Sequence, residues 1–158
     1  MAAASFGAEF SIIHNDKSES GWFGFERRTT GSYGYVIVIG RKASRVSKDD
    51  ALDYVFGYTA GNDISNRAWQ LEPHLGGGQW CYSKCFDSSA PIGPAIVSKD
   101  ILGSAVGLGI RGTLKDTQVQ NGNTNNMIFS VAEIVSFLSQ GMTLLPGKFN
   151  AVRLARHD

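Results

Sequence analysis

The stretch Tyr58–Gln70, YTAGNDISNRAWQ, passes from an apolar segment through Gly-Asn into a predicted short helix. Asp63, Arg67 and Gln70 are spaced at i, i+4 and i+7, so on one continuous helix they stack on a single face. That face would carry a carboxylate for a metal ion or a proton, a guanidinium for an anion, and an amide that donates and accepts hydrogen bonds. The alternative is structural: Asp63 or Ser65 caps the helix, and Arg67 pairs with Asp63 at the surface.

Strands are predicted on either side of this stretch. Tyr33–Gly40, YGYVIVIG, is a nearly continuous β-branched and aromatic run, which is typical of a strand buried on both faces. A start that resembles a capping box predicts a helix over Lys48–Phe56, and a short strand follows over Tyr58–Asn62. Further along the chain, Trp80–Phe86 is predicted to be a strand that presents Lys84.

The second half of the chain combines short strands with one long helix. Ala105–Gly112 and Thr113–Gln120 are predicted strands, and a polar loop follows over Asn121–Asn126. Ser130-Val-Ala-Glu133 is a capping box that opens a helix ending at Gly141. The predicted buried stripe of this helix consists of Ile134, Val135, Phe137 and Leu138. Many short strands with two or three short helices predict a mainly β (α+β) domain.

Composition and charge restrict the class of protein. With 158 residues, of which 42% are hydrophobic and 18% charged, the chain is predicted to form one globular domain. The net charge of +1 does not indicate a nucleic-acid-binding protein. No run approaches the roughly 18 apolar residues of a membrane helix, and a secretory signal pattern is lacking. Cys81 and Cys85 are interpreted as free thiols in a reducing compartment. We therefore expect a cytoplasmic protein, with mitochondria as the alternative.

Several motifs in a fixed order make the chain similar to one known protein family. They are Gly61-Asn62-Asp63-Ile64-Ser65 with Arg67 and Gln70, the segments Gln79–Asp87 and Pro91–Pro94, the polar run Gln120–Phe129, and Phe137–Gly147. These motifs resemble the fumarylacetoacetate hydrolase family, over a region from about Tyr33 to Gly147. The resemblance implies a β-roll over residues 33–147, incomplete at both ends, between a poorly defined N-terminal segment, 1–32, and a tail, 148–158.

The chemistry that the resemblance implies depends on an enolate. Family members use magnesium or manganese to bind a small β-diketo or 2-oxo acid. The ion stabilises the enolate that forms when a C–C bond breaks or a proton moves. The implied reactions are hydrolysis, decarboxylation or tautomerisation of such an acid. Family members are commonly dimers, which implies a homodimer or pairing with a paralogue.

The motifs also imply roles for four residues. Asp63 corresponds to a metal ligand of the family, and Arg67 and Gln70 correspond to positions that contact the substrate. Lys84 corresponds to a motif lysine that would hold the substrate carboxylate or the developing enolate as a point charge. Lys84 and Arg67 are thus the implied catalytic residues, and both also bind substrate. The alternative for Lys84 is a surface lysine beside Asp87.

Two features depart from the family pattern. Ser32 and Gly34 stand where the family has two glutamate ligands, which leaves Asp63 as the remaining carboxylate for Mg²⁺ or Mn²⁺. The family's helical lid and Thr-Gly-Thr-Pro loop have no counterpart, so we interpret the chain as a shortened or diverged member. Two alternatives to a metal-dependent enzyme follow. One is a catalytically impaired subunit that binds a ligand or a partner chain. The other is a metal-free isomerase or lyase that relies on Lys84 and Arg67.

Overall fold

The computed structural model describes residues 9–11, 29–75, 78–114, 117–147 and 149–153. Its strands within these residues are β1 Glu9–Ser11, β2 Thr29–Thr30, β3 Tyr33–Ile39, β4 Val55–Asn62, β5 Ser65–Asn66, β6 Ile92–Ser98, β7 Gly109–Leu114, β8 Thr117–Asn123 and β9 Phe149–Arg153. Its α-helices there are α1 Arg67–Leu71, α2 Lys99–Leu102 and α3 Val131–Gly141, and short 3₁₀ turns cover Ala51–Tyr54, Tyr82–Lys84 and Thr124–Asn126. The predicted mainly β (α+β) class is confirmed.

The strands form two larger sheets and one short pair. An antiparallel four-stranded sheet has the order β6-β4-β3-β9. A three-stranded sheet has the order β1-β7-β8, with β1 parallel and β8 antiparallel to β7. Strands β2 and β5 pair antiparallel with each other. No helix in the described ranges is long and apolar enough to cross a membrane.

Strand β3 runs through the centre of the hydrophobic core. All of its residues are buried, so the strand predicted from its unbroken apolar sequence is confirmed. Tyr35, Ile37 and Ile39 share one face of the strand and belong to one core cluster with Val135 of α3. The ring of Tyr35 stacks on that of Tyr58, with centroids 5.0 Å apart. Burial raises the pKa of both hydroxyls, that of Tyr58 to about 12.

The two larger sheets meet at Tyr33, the first residue of β3. The side-chain amide of Gln120 on β8 accepts a hydrogen bond from the Tyr33 backbone nitrogen at 3.0 Å and donates one to the Tyr33 carbonyl oxygen at 2.7 Å. The Tyr33 hydroxyl donates to the carbonyl oxygen of Thr113 at 3.3 Å. The Tyr33 ring also covers Gly112, where a Cβ would lie 2.0 Å from Tyr33 Cδ2. A residue without a side chain therefore lets the sheets approach closely here.

Helix α3 begins as its sequence predicts. Ser130 Oγ accepts a hydrogen bond from the Glu133 backbone nitrogen at 3.3 Å, and Glu133 Oε2 accepts one from the Ser130 backbone nitrogen at 2.8 Å. The predicted capping box is therefore confirmed. Lys48 Nζ also donates to Glu133 Oε1 at 2.8 Å. The hydrogen bonds from Lys48 and Ser130 lower the pKa of Glu133 to about 2.

The predicted buried stripe of α3 is wrong at one position. The buried residues of the helix follow a spacing of four and are Val131, Val135 and Ser139. Phe137 lies on a different face and is 78% exposed, because it follows Val135 by roughly 200° around the helix. Ile134 and Leu138 pack partly buried against the core, as predicted.

Two other local predictions need correction. The helix predicted over Lys48–Phe56 is wrong, because only Ala51–Tyr54 form a 3₁₀ turn. Strand β4 already begins at Val55, which pairs with Ile39 and is buried, so tertiary pairing overrides the helical pattern. The two strands predicted over Ala105–Gly112 and Thr113–Gln120 occur, but both lie further along the chain, as β7 and β8. The first residues of the polar loop predicted over Asn121–Asn126 therefore belong to β8.

Candidate functional site

Asp63 lies directly after β4, where the pairing between β3 and β4 continues for one more step. Its backbone nitrogen donates to the Ser32 carbonyl oxygen at 2.9 Å, and the Ser32 nitrogen donates to the Asp63 carbonyl oxygen at 3.2 Å. The prediction that Asp63 stacks with Arg67 and Gln70 on one helix is wrong, since α1 begins only at Arg67. Ser65 intervenes, as part of β5, and pairs with β2, which keeps the backbone extended before the helix.

Asn66 caps α1, a role that the sequence analysis considered for Asp63 and Ser65. Its side-chain oxygen accepts hydrogen bonds from the backbone nitrogens of Ala68 at 3.0 Å and Trp69 at 3.3 Å. The structural alternative for Asp63 and Ser65, that they cap the helix, is therefore wrong. The signal was present in the sequence, because Asn directly before a helical run is a strong N-cap residue.

Lys84 brings a positive charge to Asp63. Its ammonium contacts Asp63 Oδ2 and donates to Ser65 Oγ at 2.6 Å. Ser65 Oγ in turn lies 3.4 Å from Asp63 Oδ1, to which it donates. The side chains of Lys84 and Asp63 are 33% and 34% exposed, so solvent or a ligand reaches both. Asp63, Ser65 and Lys84 therefore form one hydrogen-bonded cluster, which we call the Asp63–Lys84 cluster.

The segment that carries Lys84 is a 3₁₀ turn, and the strand predicted over Trp80–Phe86 is wrong. Ser83 Oγ donates to the Trp80 carbonyl oxygen at 2.6 Å, and Ser89 Oγ donates to the Lys84 carbonyl oxygen at 2.7 Å. These bonds satisfy backbone groups locally, where a strand would need a partner.

The ring of Tyr82 packs against Trp69 of α1, with centroids 4.4 Å apart. That contact holds the Lys84 turn against α1. Cys81 and Cys85, at its two ends, are free cysteines, as expected, and both are exposed.

Arg67 and Gln70 form a second polar pair on α1. The Arg67 guanidinium donates from Nη1 to Gln70 Oε1, in agreement with their i, i+3 spacing. Gln70 is buried, whereas Arg67 is half-buried. The surface pairing considered for Arg67 with Asp63 is replaced by the ion pair between Lys84 and Asp63. The structure thus brings the predicted site residues together in two pairs: Asp63 contacts Lys84, and Arg67 contacts Gln70.

A Mg²⁺ or Mn²⁺ ion at Asp63 would need further oxygen ligands from the same face of the sheet. Gly34 pairs with Gly61, and Ser32 pairs with Asp63, so side chains at 32, 34 and 63 lie on one face of the sheet. Two glutamates at 32 and 34 would complete a carboxylate site there, but Ser32 supplies a hydroxyl and Gly34 supplies nothing. Within the described ranges, no group of three or more His, Cys, Asp or Glu side chains could hold a metal ion. Hard divalent ions need several oxygen ligands, so these residues do not fit one.

Comparison with known proteins agrees with this architecture. The family described as Fumarylacetoacetate (FAA) hydrolase C-terminal matches residues 35–149. Oxaloacetate tautomerase fahd2, mitochondrial, from Xenopus laevis is 42% identical over 111 residues, and the match covers 70% of this chain and 34% of that protein. The fumarylacetoacetate hydrolase domain-containing protein 2 homolog of Dictyostelium discoideum is 46% identical over 120 residues, 71% of this chain and 39% of that protein. The chain thus spans less than half the length of these relatives.

Solved structures share the fold. A 2-hydroxyhepta-2,4-diene-1,7-dioate isomerase from Mycobacterium marinum superposes with a TM-score of 0.75 at 34% identity, covering 82% of this chain and 49% of that one. A fumarylpyruvate hydrolase from Pseudomonas aeruginosa, in complex with Mn²⁺ and pyruvate, superposes with a TM-score of 0.73 at 29% identity, covering 81% and 55%. The predicted β-roll fold is therefore confirmed. The order of its motifs, its sheet architecture and the extent of these matches show that this chain belongs to the fumarylacetoacetate hydrolase family.

Proposed function

We propose that this chain binds a small 2-oxo or β-diketo acid at the Asp63–Lys84 cluster and stabilises its enolate. The observation that carries the proposal is the half-exposed Lys84 ammonium, held in place by Asp63 and Ser65. A fixed cation beside a solvent-accessible carboxylate combines the two groups that enolisation needs, a charge for the oxyanion and a proton acceptor. The relatives are named as a tautomerase, an isomerase and a hydrolase, which supports chemistry on such acids.

The simplest reaction at this cluster is keto–enol interconversion. The Asp63 carboxylate accepts the proton from the carbon next to the ketone. The C–H electron pair forms the new C=C bond, and the π electron pair of the C=O bond moves onto the ketone oxygen. Lys84 stabilises the negative charge on that oxygen, and Asp63 then returns the proton to it to give the enol. Arg67, on the adjacent helix, is the candidate to bind the substrate carboxylate, because a guanidinium matches that group with two parallel hydrogen bonds. Decarboxylation or C–C cleavage would pass through the same enolate.

Turnover of oxaloacetate and of an acylpyruvate tests this function. We expect the chain to accelerate enolisation of oxaloacetate above the buffer rate, measured by ultraviolet absorbance and by deuterium exchange in NMR spectra. Arg67→Gln should raise KM by about 10- to 100-fold, the effect of losing roughly 1.5–3 kcal/mol from a charged hydrogen bond.

Arg41→Gln is the matched control, because the Arg41 guanidinium lies 4.9 Å from the Tyr54 ring centroid and outside the cluster. It should leave KM unchanged. Rates equal to buffer with every acid tested would contradict the proposal.

A second candidate function, a partner-binding subunit, is favoured by exposed apolar side chains just before α3 and on it. Phe137 is 78% exposed and Ile128 is 83% exposed, while Phe129 is 63% exposed. Large apolar side chains that remain exposed can mark protein interfaces. A second copy of this chain is the partner proposed here, in agreement with the expected homodimer.

Sedimentation equilibrium tests for that dimer. Phe137→Glu should raise the dimer Kd by at least about tenfold, because the interface would bury an unpaired carboxylate. Ile101→Glu is the control, since Ile101 on α2 is also 71% exposed, and it should leave the Kd unchanged. A wild-type chain that stays monomeric at high micromolar concentration would argue against this second function.

A further inference from the structure

We infer that the Lys84 ammonium replaces a divalent ion in this chain, so that the site binds its anionic ligand without metal. The inference rests on the proposed function and specifies how that site recognises an anion. The sheet face that would need three carboxylates to hold an ion carries Ser32, Gly34 and Asp63. Such a face lacks the ligands to hold Mg²⁺ or Mn²⁺.

The position of the ammonium is the first support. Lys84 contacts Asp63 Oδ2, so it occupies one oxygen of the carboxylate that a metal ion at this face would need as a ligand. An ammonium has three N–H donors. Two of them are used by Asp63 and Ser65. The third remains for an oxygen atom of a ligand, and the side chain is 33% exposed, so that ligand reaches it.

The charge of the site is the second support. Two glutamates and one divalent cation carry equal and opposite charge, so their joint absence leaves the net charge of the cluster unchanged. Asp63 and Lys84 then neutralise each other on their own. A pair of this kind accepts an anion at the ammonium, since the N–H donor that Asp63 and Ser65 do not use can bind a ligand oxygen.

The decisive experiment is calorimetric titration of the whole chain with oxalate, a stable mimic of the enolate, in the presence of EDTA. We expect binding that needs no metal, and at least tenfold weaker binding by Lys84→Gln. Lys99→Gln is the matched control, because Lys99 is also a half-buried lysine paired with an aspartate, Asp53, at 3.8 Å. It should bind oxalate as wild type does.

Oxalate binding that appears only when manganese is added would overturn the inference and leave the proposed function standing. Absence of oxalate binding in both conditions would reject the proposed function and, with it, the inference.

A titration with manganese alone gives a second, ligand-independent result. The wild-type chain should show no micromolar binding, whereas the double variant Ser32→Glu with Gly34→Glu should gain it, because the face would then carry three carboxylates. Ser32→Glu alone is included because Gly34 is buried and a glutamate there can prevent folding. It should still bind manganese more tightly than Ser44→Glu, which adds the same charge at an exposed position. Micromolar manganese binding by wild type that Asp63→Ala removes would overturn the inference.

Discussion

Replacing Lys84 with alanine is expected to lower kcat/KM for oxaloacetate enolisation by about 10²–10³-fold, the usual cost of removing one group that stabilises a developing oxyanion. The reason is the position of the ammonium, which is the charge that contacts both Asp63 and Ser65. Steady-state kinetics with wild type and variant measure the effect. Lys84→Arg should restore part of the activity, because it keeps the charge but changes the shape of the donor group.

Two controls separate this effect from damage to the fold. Lys99→Ala removes another half-buried, paired lysine and should leave kcat/KM unchanged. The thermal midpoint of Lys84→Ala should also stay close to wild type, because a pair this exposed contributes only about 0–1 kcal/mol. A kcat/KM within about twofold of wild type, or a loss of activity that merely follows unfolding, would contradict a direct role in the reaction.

Gly112→Ala is expected to destabilise the fold by about 1–3 kcal/mol, the usual range for forcing extra atoms into a packed core. The added Cβ would lie 2.0 Å from Tyr33 Cδ2, and the ring cannot move without disturbing its hydroxyl contact to Thr113. Two hydrogen bonds to Gln120 hold the Tyr33 backbone in place, so the backbone cannot shift freely to relieve the contact. Equilibrium unfolding in urea measures the change. The effect should extend to the site, because Tyr33 is adjacent to Ser32, which pairs with Asp63.

Gly109→Ala is the control for this substitution. Gly109 lies in the same strand, β7, but a Cβ there meets no atom within 4 Å. This variant should unfold at the wild-type urea concentration, or slightly above it, because alanine restricts the unfolded chain. Equal stability of the two variants would show that the Tyr33 ring yields easily and that the sheet contact is looser than the structure indicates.

Local sequence patterns predict the elements whose structure depends on near neighbours. The apolar run of β3 and the Ser130–Glu133 capping box are confirmed, because a strand buried on both faces and a helix N-terminus each have a signature within a few residues. The helix expected over Lys48–Phe56 fails, because the pairing of Val55 with Ile39 depends on a distant strand. The predicted burial of Phe137 is wrong, because the rotation of α3 about its own axis decides which of its side chains face the core.

In the candidate site, too, the sequence predicts the residues, whereas their contacts depend on distant parts of the chain. The motifs selected Asp63 and Lys84, but no local pattern indicates that they touch, because they are 21 residues apart and are joined by the packing of Trp69 on Tyr82. The expected helical stacking of Asp63 fails because Ser65 is drawn into a strand pair with β2. The continuation of the sheet from Tyr33 to Ser32 places the missing glutamate positions beside Asp63. Only the register of β3 and β4 reveals that relation.

The pairing of β3 with β9 also bears on how the protein is made. Tyr35 of β3 pairs with Val152, so the two neighbouring strands come from distant parts of the chain. Synthesis proceeds from the N-terminus, and β3 therefore exists well before β9 can cover its edge. During that interval the edge presents unpaired backbone groups on a wholly apolar strand, which other chains can join. A nascent chain that stops before Phe149 keeps this edge open, and such a product is expected to aggregate or to be captured by chaperones.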